Sequence, residues 1–344
     1  MAQEPAAVVG EKKQMETDMK LNAFLSAGKV LIAAASLVAT AAMAQAYPTK
    51  SIRMIVPFPP GGGNDVIARL VAQKLTARLG QTVIVENKAG ANGIVGLVAA
   101  AQAAPDGYTL GIAAAGPMAV NPSLYDKLPY NPLKDFVPIT NMVIYPLLLV
   151  THPSVSAKNM RELLALAKEK PGTLFFASPG SGNSGHLAGE LLNSLAKVNT
   201  VHVPYKGQGP ATADLLAGQV QMLYSSIPPV LPFVQQGRLN AIAVGSAKRL
   251  ASMPNVPTIA ESGVPGFEAY SWIGIVAPLG TPKEIVTKLK REIVDILKQK
   301  EVQEELLAQG AIPVGDTPEH FGAYIKDEIA KWGAVVKSAN IKAD

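Results

Sequence analysis

Two glycine-rich loops are the segments of this sequence whose residue types best suit the binding of an anion. Residues 57–65 join an apolar run to an amphipathic stretch, and residues 178–185 do the same further along the chain. A turn between a strand and a helix points backbone N–H groups and the positive end of the helix dipole at one spot. The sequence therefore predicts two half-sites for one anionic ligand, one in each of two lobes.

The first loop, residues 57–65, is predicted to contact the ligand through its backbone, because three successive glycines exceed what a simple turn requires. Phe58 is a candidate wall for an apolar part of the ligand. Asp65 is interpreted first as a helix cap that can pair with Arg69 four residues on, with ligand contact as the alternative. The candidate binding residues of this loop are Phe58, Gly61, Gly62, Gly63, Asn64 and Asp65.

The second loop, residues 178–185, offers hydroxyl, amide and backbone groups suited to an oxyanion. Its candidate binding residues are Ser178, Gly180, Ser181, Gly182 and Asn183. The loop also carries a GxGxxG pattern, but the acidic residue that a dinucleotide site places about 20 residues on is missing. A hydrolase using Ser184 is disfavoured, because His186 stands where a GxSxG elbow needs glycine. His186 is interpreted as a structural residue at the start of a helix.

Three further residues are candidates for the walls of the site. Tyr205 and Ser225 stand at predicted strand ends, and strand ends face the ligand crevice in open α/β sheets. For Trp272, a place in the core and a place in the ligand wall are both left open.

Composition excludes several classes of function. The chain has 344 residues, 48% of them hydrophobic, which is enough for a sizeable core and two domains. Its net charge of +5 is spread along the chain without a basic, aromatic run, so no nucleic-acid partner is expected. It has no cysteine, and its four histidines lack metal-ligand spacing. We therefore expect neither a metal site nor a cofactor.

The N-terminus is predicted to be an export signal. Residues 20–29 include two lysines, residues 30–42 are apolar, and Ala42, Ala44 and Ala46 supply small residues for cleavage near Ala44 or Ala46. The apolar run is short for a membrane span, so a retained anchor is the weaker alternative. Residues 1–18 are interpreted as an upstream extension, and the mature protein is expected in the periplasm.

The rest of the chain alternates strand and helix patterns, which predicts an α/β fold. Two apolar extended runs, residues 143–150 and 270–277, are predicted to pair side by side as crossover strands. They would divide the chain into one lobe of residues 47–146 plus 271–344 and an inserted lobe of residues 147–270. Two lobes joined by two strands form a clamshell that can close about a two-strand hinge. Residues 281–284 are interpreted as a capping box that opens the first of three C-terminal helices, and Thr317 with Pro318 is predicted to start the third.

Several long motifs resemble the Bug family, the periplasmic receptors of tripartite tricarboxylate transporters. The matching segments include residues 56–69 (VPFPPGGGNDVIAR), 86–93 (ENKAGANG), 105–110 (PDGYTL), 203–207 (VPYKG) and 256–263 (VPTIAESG). The resemblance covers essentially the whole mature chain.

The resemblance implies a type II periplasmic binding fold, with residues 58–65 and 178–183 as the two binding loops. It also implies a small carboxylate ligand held by main-chain amides, hydroxyls and waters, which a monomeric receptor delivers to the membrane subunits of a transporter. A receptor that signals to a sensor protein is an alternative that the sequence leaves open. Ala115 lies at a third binding position, in a stretch poorer in hydroxyls than the family pattern.

Overall fold

The computed structural model describes residues 47–342. The predicted signal peptide and upstream extension, residues 1–46, lie outside the described residues. The helices and strands below all belong to the compact unit that begins at Lys50. Within residues 47–342, no helix combines the length and the apolar character that a membrane span requires.

Strands and helices alternate along most of the chain, as predicted. The strands are β1 (Ile52–Val56), β2 (Val83–Asn87), β3 (Thr109–Ala114), β4 (Phe136–Pro146), β5 (Leu148–Thr151), β6 (Phe175–Ser178), β7 (Val201–Pro204), β8 (Met222–Ser225), β9 (Asn240–Val244), β10 (Tyr270–Pro278) and β11 (Ile312–Pro313). The α-helices are α1 (Gly63–Leu79), α2 (Ile94–Ala101), α3 (Asn121–Leu124), α4 (Met160–Glu169), α5 (Ser184–Ala196), α6 (Gln208–Leu216), α7 (Leu231–Gln235), α8 (Lys283–Leu297), α9 (Lys300–Ala308) and α10 (Pro318–Ser338).

The strands form two separate mixed sheets. One has six strands in the order β11-β4-β10-β3-β1-β2, with β1 parallel to both β2 and β3. The other has five strands in the order β7-β6-β8-β5-β9, with β6 parallel to β7 and β8. Helices between parallel strands are what right-handed βαβ units require. The predicted α/β fold with two lobes is confirmed.

The two predicted crossover runs pair in part: residues 143–146 lie beside residues 270–273, whereas residues 148–150 belong to β5 in the other sheet. In the antiparallel β4–β10 pair, Pro146 is opposite Tyr270 and Tyr145 is opposite Ser271. The chain passes from one sheet to the other at Leu147, whose carbonyl accepts from the Gly245 amide at 2.7 Å. Ala269, just before β10, donates in turn to the Gly245 carbonyl at 2.9 Å. The connection between the two sheets is therefore hydrogen-bonded across both strands.

Two predicted helix starts differ from the structure. α1 begins at Gly63, three residues before the predicted start, so the last glycine of the first loop is helical. The capping box at residues 281–284 is wrong: the Thr281 hydroxyl donates to the Pro278 carbonyl at 2.8 Å, and α8 begins only at Lys283. In contrast, Thr317 caps α10 as its sequence pattern predicts, accepting from the His320 amide.

A buried carboxylate ties α10 to the crossover strand β10. Glu328 Oε2 accepts from the indole nitrogens of Trp272 at 3.2 Å and Trp332 at 2.7 Å, and Lys331 forms an ion pair with the same carboxylate. Trp272 is fully buried and meets the ring of Phe321 edge to face, with centroids 5.6 Å apart. The interpretation of Trp272 as a core residue is therefore confirmed.

Candidate functional site

A cavity of about 380 Å³ lies between the two glycine loops and is lined from both sheets. The six-stranded sheet and its helix α1 contribute Gly63, Asn64, Tyr145, Ser271 and Ile273, and Leu147 lies at the crossover. The other side contributes Pro179, Asn183, Ser184, Gly185, Gln208, Tyr224 and Ser226. All of these lining residues, which belong to the described part of the chain, are uncharged. A concave site with polar groups converging from two sides is typical of a small-molecule pocket.

The first loop, residues 57–65, leads into α1, and the N-terminus of this helix lies at the cavity. The N-cap residue is Gly62, and no side chain caps the helix. The first amides of a helix have no partner within the helix, so those of Gly63 and Asn64, which line the cavity, are expected to donate to a ligand there. The dipole of α1, a helix of 17 residues, favours negative charge at this end. This end of the cavity is therefore suited to an anionic group.

The carboxylate of Asp65 stabilises the first loop through hydrogen bonds. Its Oδ2 accepts from the Gly61 amide and from Arg69 Nε, both at 2.9 Å, and its Oδ1 accepts from Asn87 Nδ2 at 2.8 Å. Asn87 also donates to the Phe58 carbonyl at 3.1 Å. The predicted Asp65–Arg69 pair is thus confirmed, whereas the interpretation of Asp65 as the helix cap is wrong, because Gly62 is the N-cap and Asp65 lies within the first turn of α1. Because both carboxylate oxygens accept hydrogen bonds from neighbouring protein groups, Asp65 acts here as a positioning residue for the backbone around it.

Replacing Asp65 with asparagine is expected to destabilise the protein at neutral pH more than in acid. The hydrogen bond from Arg69, helped by those from Gly61 and Asn87, lowers the pKa of Asp65 from 3.8 to about 2. A lowered native pKa means that the carboxylate stabilises the fold above about pH 4, and that this contribution is lost as the pH falls towards 2. Urea unfolding at pH 7 and pH 3 measures the difference between wild type and Asp65→Asn. An equal difference at both pH values would contradict this role.

The second loop, residues 178–185, differs from the first because its own side chains satisfy its backbone. Asn183 caps α5, with Oδ1 accepting from the amides of Gly185 at 2.7 Å and His186 at 3.2 Å. The Gly182 amide donates to His186 Nδ1 at 3.0 Å. Gly182 has a φ of 73°, and a Cβ there would lie 3.0 Å from Leu124 Cδ2. The two loops are thus not equivalent half-sites: no side chain caps the start of α1, whereas the amides of Gly182, Gly185 and His186 near α5 are already bonded.

Three polar atoms in the cavity wall are buried without a hydrogen-bond partner among the described residues: Asn64 Oδ1, Tyr145 Oη and Tyr224 Oη. Tyr145, one residue before the end of β4, is 8% exposed, while Tyr224 on β8 is 1% exposed. Burial raises the pKa of Tyr145 to about 12 and raises that of Tyr224 as well. Both hydroxyls therefore stay protonated at neutral pH and remain available as donors. Leaving such groups unpaired is costly, and their convergence indicates a ligand that pairs them.

Of the residues that the sequence singles out, Gly63, Asn64 and Asn183 line the cavity. The other candidates are not among the lining residues: Phe58, Gly61, Gly62, Asp65, Ala115, Ser178, Gly180, Ser181, Gly182, Tyr205 and Ser225. Tyr205 donates to Asp214 Oδ2 at 2.8 Å, and Ser225 Oγ accepts from Gln208 Nε2 at 3.1 Å. Ala115 is buried just before the π-helical turn Gly116–Val120. Their contact with a ligand stays a prediction.

The sequence did not single out six polar side chains of the cavity wall as ligand contacts. They are Tyr145, Ser184, Gln208, Tyr224, Ser226 and Ser271. Tyr224 and Ser226 flank the predicted residue Ser225, and side chains alternate between the two faces of a strand. An error of one residue at this strand end therefore selects the wrong face.

Comparison with known proteins gives a consistent result. A family model described as the tripartite tricarboxylate transporter family receptor matches residues 67–341. Protein BugT of Bordetella pertussis is 42% identical over 327 residues, which cover 94% of this chain and 99% of BugT.

Two solved structures from R. palustris are also similar. One, determined with adipate, is 35% identical with a TM-score of 0.76, covering 86% of this chain and 99% of its own. MatC of Rhodopseudomonas palustris, determined with bound malate, is 34% identical with a TM-score of 0.72, covering 84% of this chain and all of its own. The resemblance to the Bug family is confirmed, and the chain belongs to the receptor family of tripartite tricarboxylate transporters.

Proposed function

We propose that this chain is a periplasmic receptor that closes two lobes over a small organic carboxylate. The observation that carries the proposal is the set of three unpartnered polar atoms, Asn64 Oδ1, Tyr145 Oη and Tyr224 Oη, in the wall of one cavity. Tyr145 comes from the six-stranded sheet and Tyr224 from the five-stranded sheet. A ligand that pairs both hydroxyls bridges the two sheets.

We place the carboxylate of the ligand at the N-terminal end of α1. The amides of Gly63 and Asn64 and the helix dipole favour an anion there, and Tyr145 Oη lies 3.8 Å from the position of a Cβ on Gly63. One carboxylate can thus accept from backbone amides and from the tyrosine hydroxyl together. Hydrogen bonds to a charged group contribute about 1.5–3 kcal/mol each, so this arrangement can hold the charge without arginine.

The relatives support this class of ligand. One R. palustris neighbour was determined with adipate and MatC with malate, and both are dicarboxylates. The apolar side chains Leu147 and Ile273 in the same cavity offer a surface for a short carbon chain. We therefore favour aliphatic carboxylates of this size over larger ligands.

We also propose the lobe boundaries that the sequence predicts, residues 47–146 with 271–344 and residues 147–270. Strand membership supports them: β1 to β4 and β11 belong to one sheet and β5 to β9 to the other, with β10 starting one residue before the boundary. The paired strands β4 and β10 form the hinge, and closure around it buries the ligand. The receptor acts as an exported monomer that presents its ligand to the membrane subunits of a tripartite transporter.

Two other functions have less support than transport. A receptor that signals to a sensor protein would use the same cleft, and transport is favoured because the family model describes transporter receptors. A hydrolase with a Ser184–His186 pair is disfavoured, because His186 Nδ1 is engaged by the Gly182 amide and not by a nucleophile. The protein is therefore proposed to bind its ligand without turning it over.

Titration calorimetry of the mature protein against a panel of acids tests the proposal. The panel contains acetate, succinate, malate, adipate and citrate, with the diamide of adipate as the matched uncharged control. We expect at least one acid of the panel to bind, with no heat from adipamide. Absence of binding across the panel, or equal binding of adipate and adipamide, would refute the proposed carboxylate site.

A further inference from the structure

Two histidines stack face to face directly beneath the second loop, residues 178–185. His186 lies in the first turn of α5 and His202 on β7, and their ring centroids are 3.6 Å apart with an angle of 8° between the planes. The ring of Phe176 packs beside both, with its centroid 5.1 Å from that of His202. His186 is 6% exposed, and His202 is partly buried.

Each ring bonds to a different end of the loop. His186 Nδ1 accepts the Gly182 amide at 3.0 Å, so that nitrogen carries no proton. His202 Nε2 is 2.6 Å from Ser178 Oγ. Because Ser178 Oγ donates to the Gly180 carbonyl at 2.9 Å, the proton of the short bond is assigned to His202. The two rings therefore fix the conformation of the backbone between Ser178 and Gly182.

The surroundings favour the neutral form of both rings. Burial lowers the pKa of His202 to about 3, with a further contribution from His186. Two imidazolium ions stacked at this distance would repel each other in a site of low dielectric constant. The nearest carboxylate, Glu190 Oε1, is 3.9 Å from His186 Nε2. Burial raises the pKa of Glu190 above its usual value.

We propose that His186 and His202 are positioning residues for ligand binding, holding the second loop in the shape that lets Asn183 and Ser184 line the cavity. The expected effect on ligand affinity rests on the proposed function. The expected effect on the conformation of the second loop does not. The alternative is a pair that only fills space, in which case an apolar side chain of similar size would serve as well.

Two substitutions at His186 separate these possibilities. His186→Asn keeps an acceptor oxygen near the place of Nδ1, whereas His186→Leu has similar bulk and no acceptor. We expect His186→Leu to weaken adipate binding about tenfold, the effect of one lost hydrogen bond with a buried donor left unpaired, and His186→Asn to stay within about threefold of wild type. Equal affinities for wild type and His186→Leu would overturn the proposal.

Amide hydrogen exchange in the ligand-free protein gives a second readout. We expect residues 180–183 to exchange faster in His186→Leu and at the wild-type rate in His186→Asn. Ser178→Ala tests the other half of the pair without adding bulk, and it should also speed exchange in the loop. If wild type binds no acid of the panel, the proposed function fails, while the exchange result still decides the positioning role. Unchanged exchange in both His186→Leu and Ser178→Ala would refute it.

Discussion

Replacing both cavity tyrosines by phenylalanine is expected to weaken carboxylate binding by about 100-fold or more. Each hydroxyl donated to a charged ligand is worth about 1.5–3 kcal/mol, and 1.4 kcal/mol corresponds to a tenfold change in affinity. Tyr145→Phe and Tyr224→Phe each remove one such donor, from opposite sheets. Calorimetry with the best-binding acid of the panel measures both single variants and the double variant.

The same substitutions are expected to leave the ligand-free protein as stable as wild type, or slightly more stable. Both hydroxyls are buried without a partner among the described residues, so their removal relieves a desolvation cost. Tyr125→Phe is the matched control, because Tyr125 does not line the cavity and is not a candidate ligand contact. Wild-type affinity in the double variant, or an equal loss in Tyr125→Phe, would exclude the two hydroxyls as ligand contacts.

Removing the carboxylate of Glu328 is expected to cause the largest loss of stability. Glu328→Ala leaves the indole N–H groups of Trp272 and Trp332 without their acceptor and Lys331 without its counter-charge. Breaking a buried ion pair by deleting one partner costs about 3–5 kcal/mol. At about 2 °C per kcal/mol for a chain of this size, the melting temperature should fall by roughly 6–10 °C.

Glu328→Gln is the control for that prediction, because it retains an acceptor oxygen and the side-chain length while removing the charge. We expect it to lose less stability than Glu328→Ala. The two tryptophans are the only ones in the chain, so their fluorescence reports on this cluster directly. Thermal unfolding followed by fluorescence and by circular dichroism measures the effect. A melting temperature for Glu328→Ala within 1 °C of wild type would contradict the role assigned to the cluster.

The local features of the fold were predictable because they depend on neighbouring residues. Apolar runs followed by glycine-rich turns and amphipathic stretches predicted β1–α1 and β6–α5, and Thr317 before Pro318 predicted the start of α10. The pairing of β4 with β10 was also expected, since both runs stand where the pattern shifts. Thr281 failed as a cap because its hydroxyl found a closer acceptor in the Pro278 carbonyl, a choice that the local pattern does not reveal.

The composition of the site was predicted less well. Ser225 was chosen at the end of β8, but Tyr224 and Ser226 line the cavity. The pattern of an almost wholly buried strand does not show which face meets a ligand. Tyr145 was interpreted only as part of an apolar crossover run, because nothing in the sequence shows that its hydroxyl lacks a partner.

The sequence by itself determined that two strand–loop–helix units would each carry a glycine-rich turn, since strand, turn and cap preferences act over a few residues. Only the tertiary structure decided which backbone amides have no partner within the protein and can therefore bind a ligand. Asn87 reaches Asp65 across 22 positions, and His202 stacks on His186 across two elements, so that the loops are held by residues distant in the chain. Hydrogen bonds and burial depend on where such residues meet in space, and this is why the polar groups of the cavity became visible only in the folded protein.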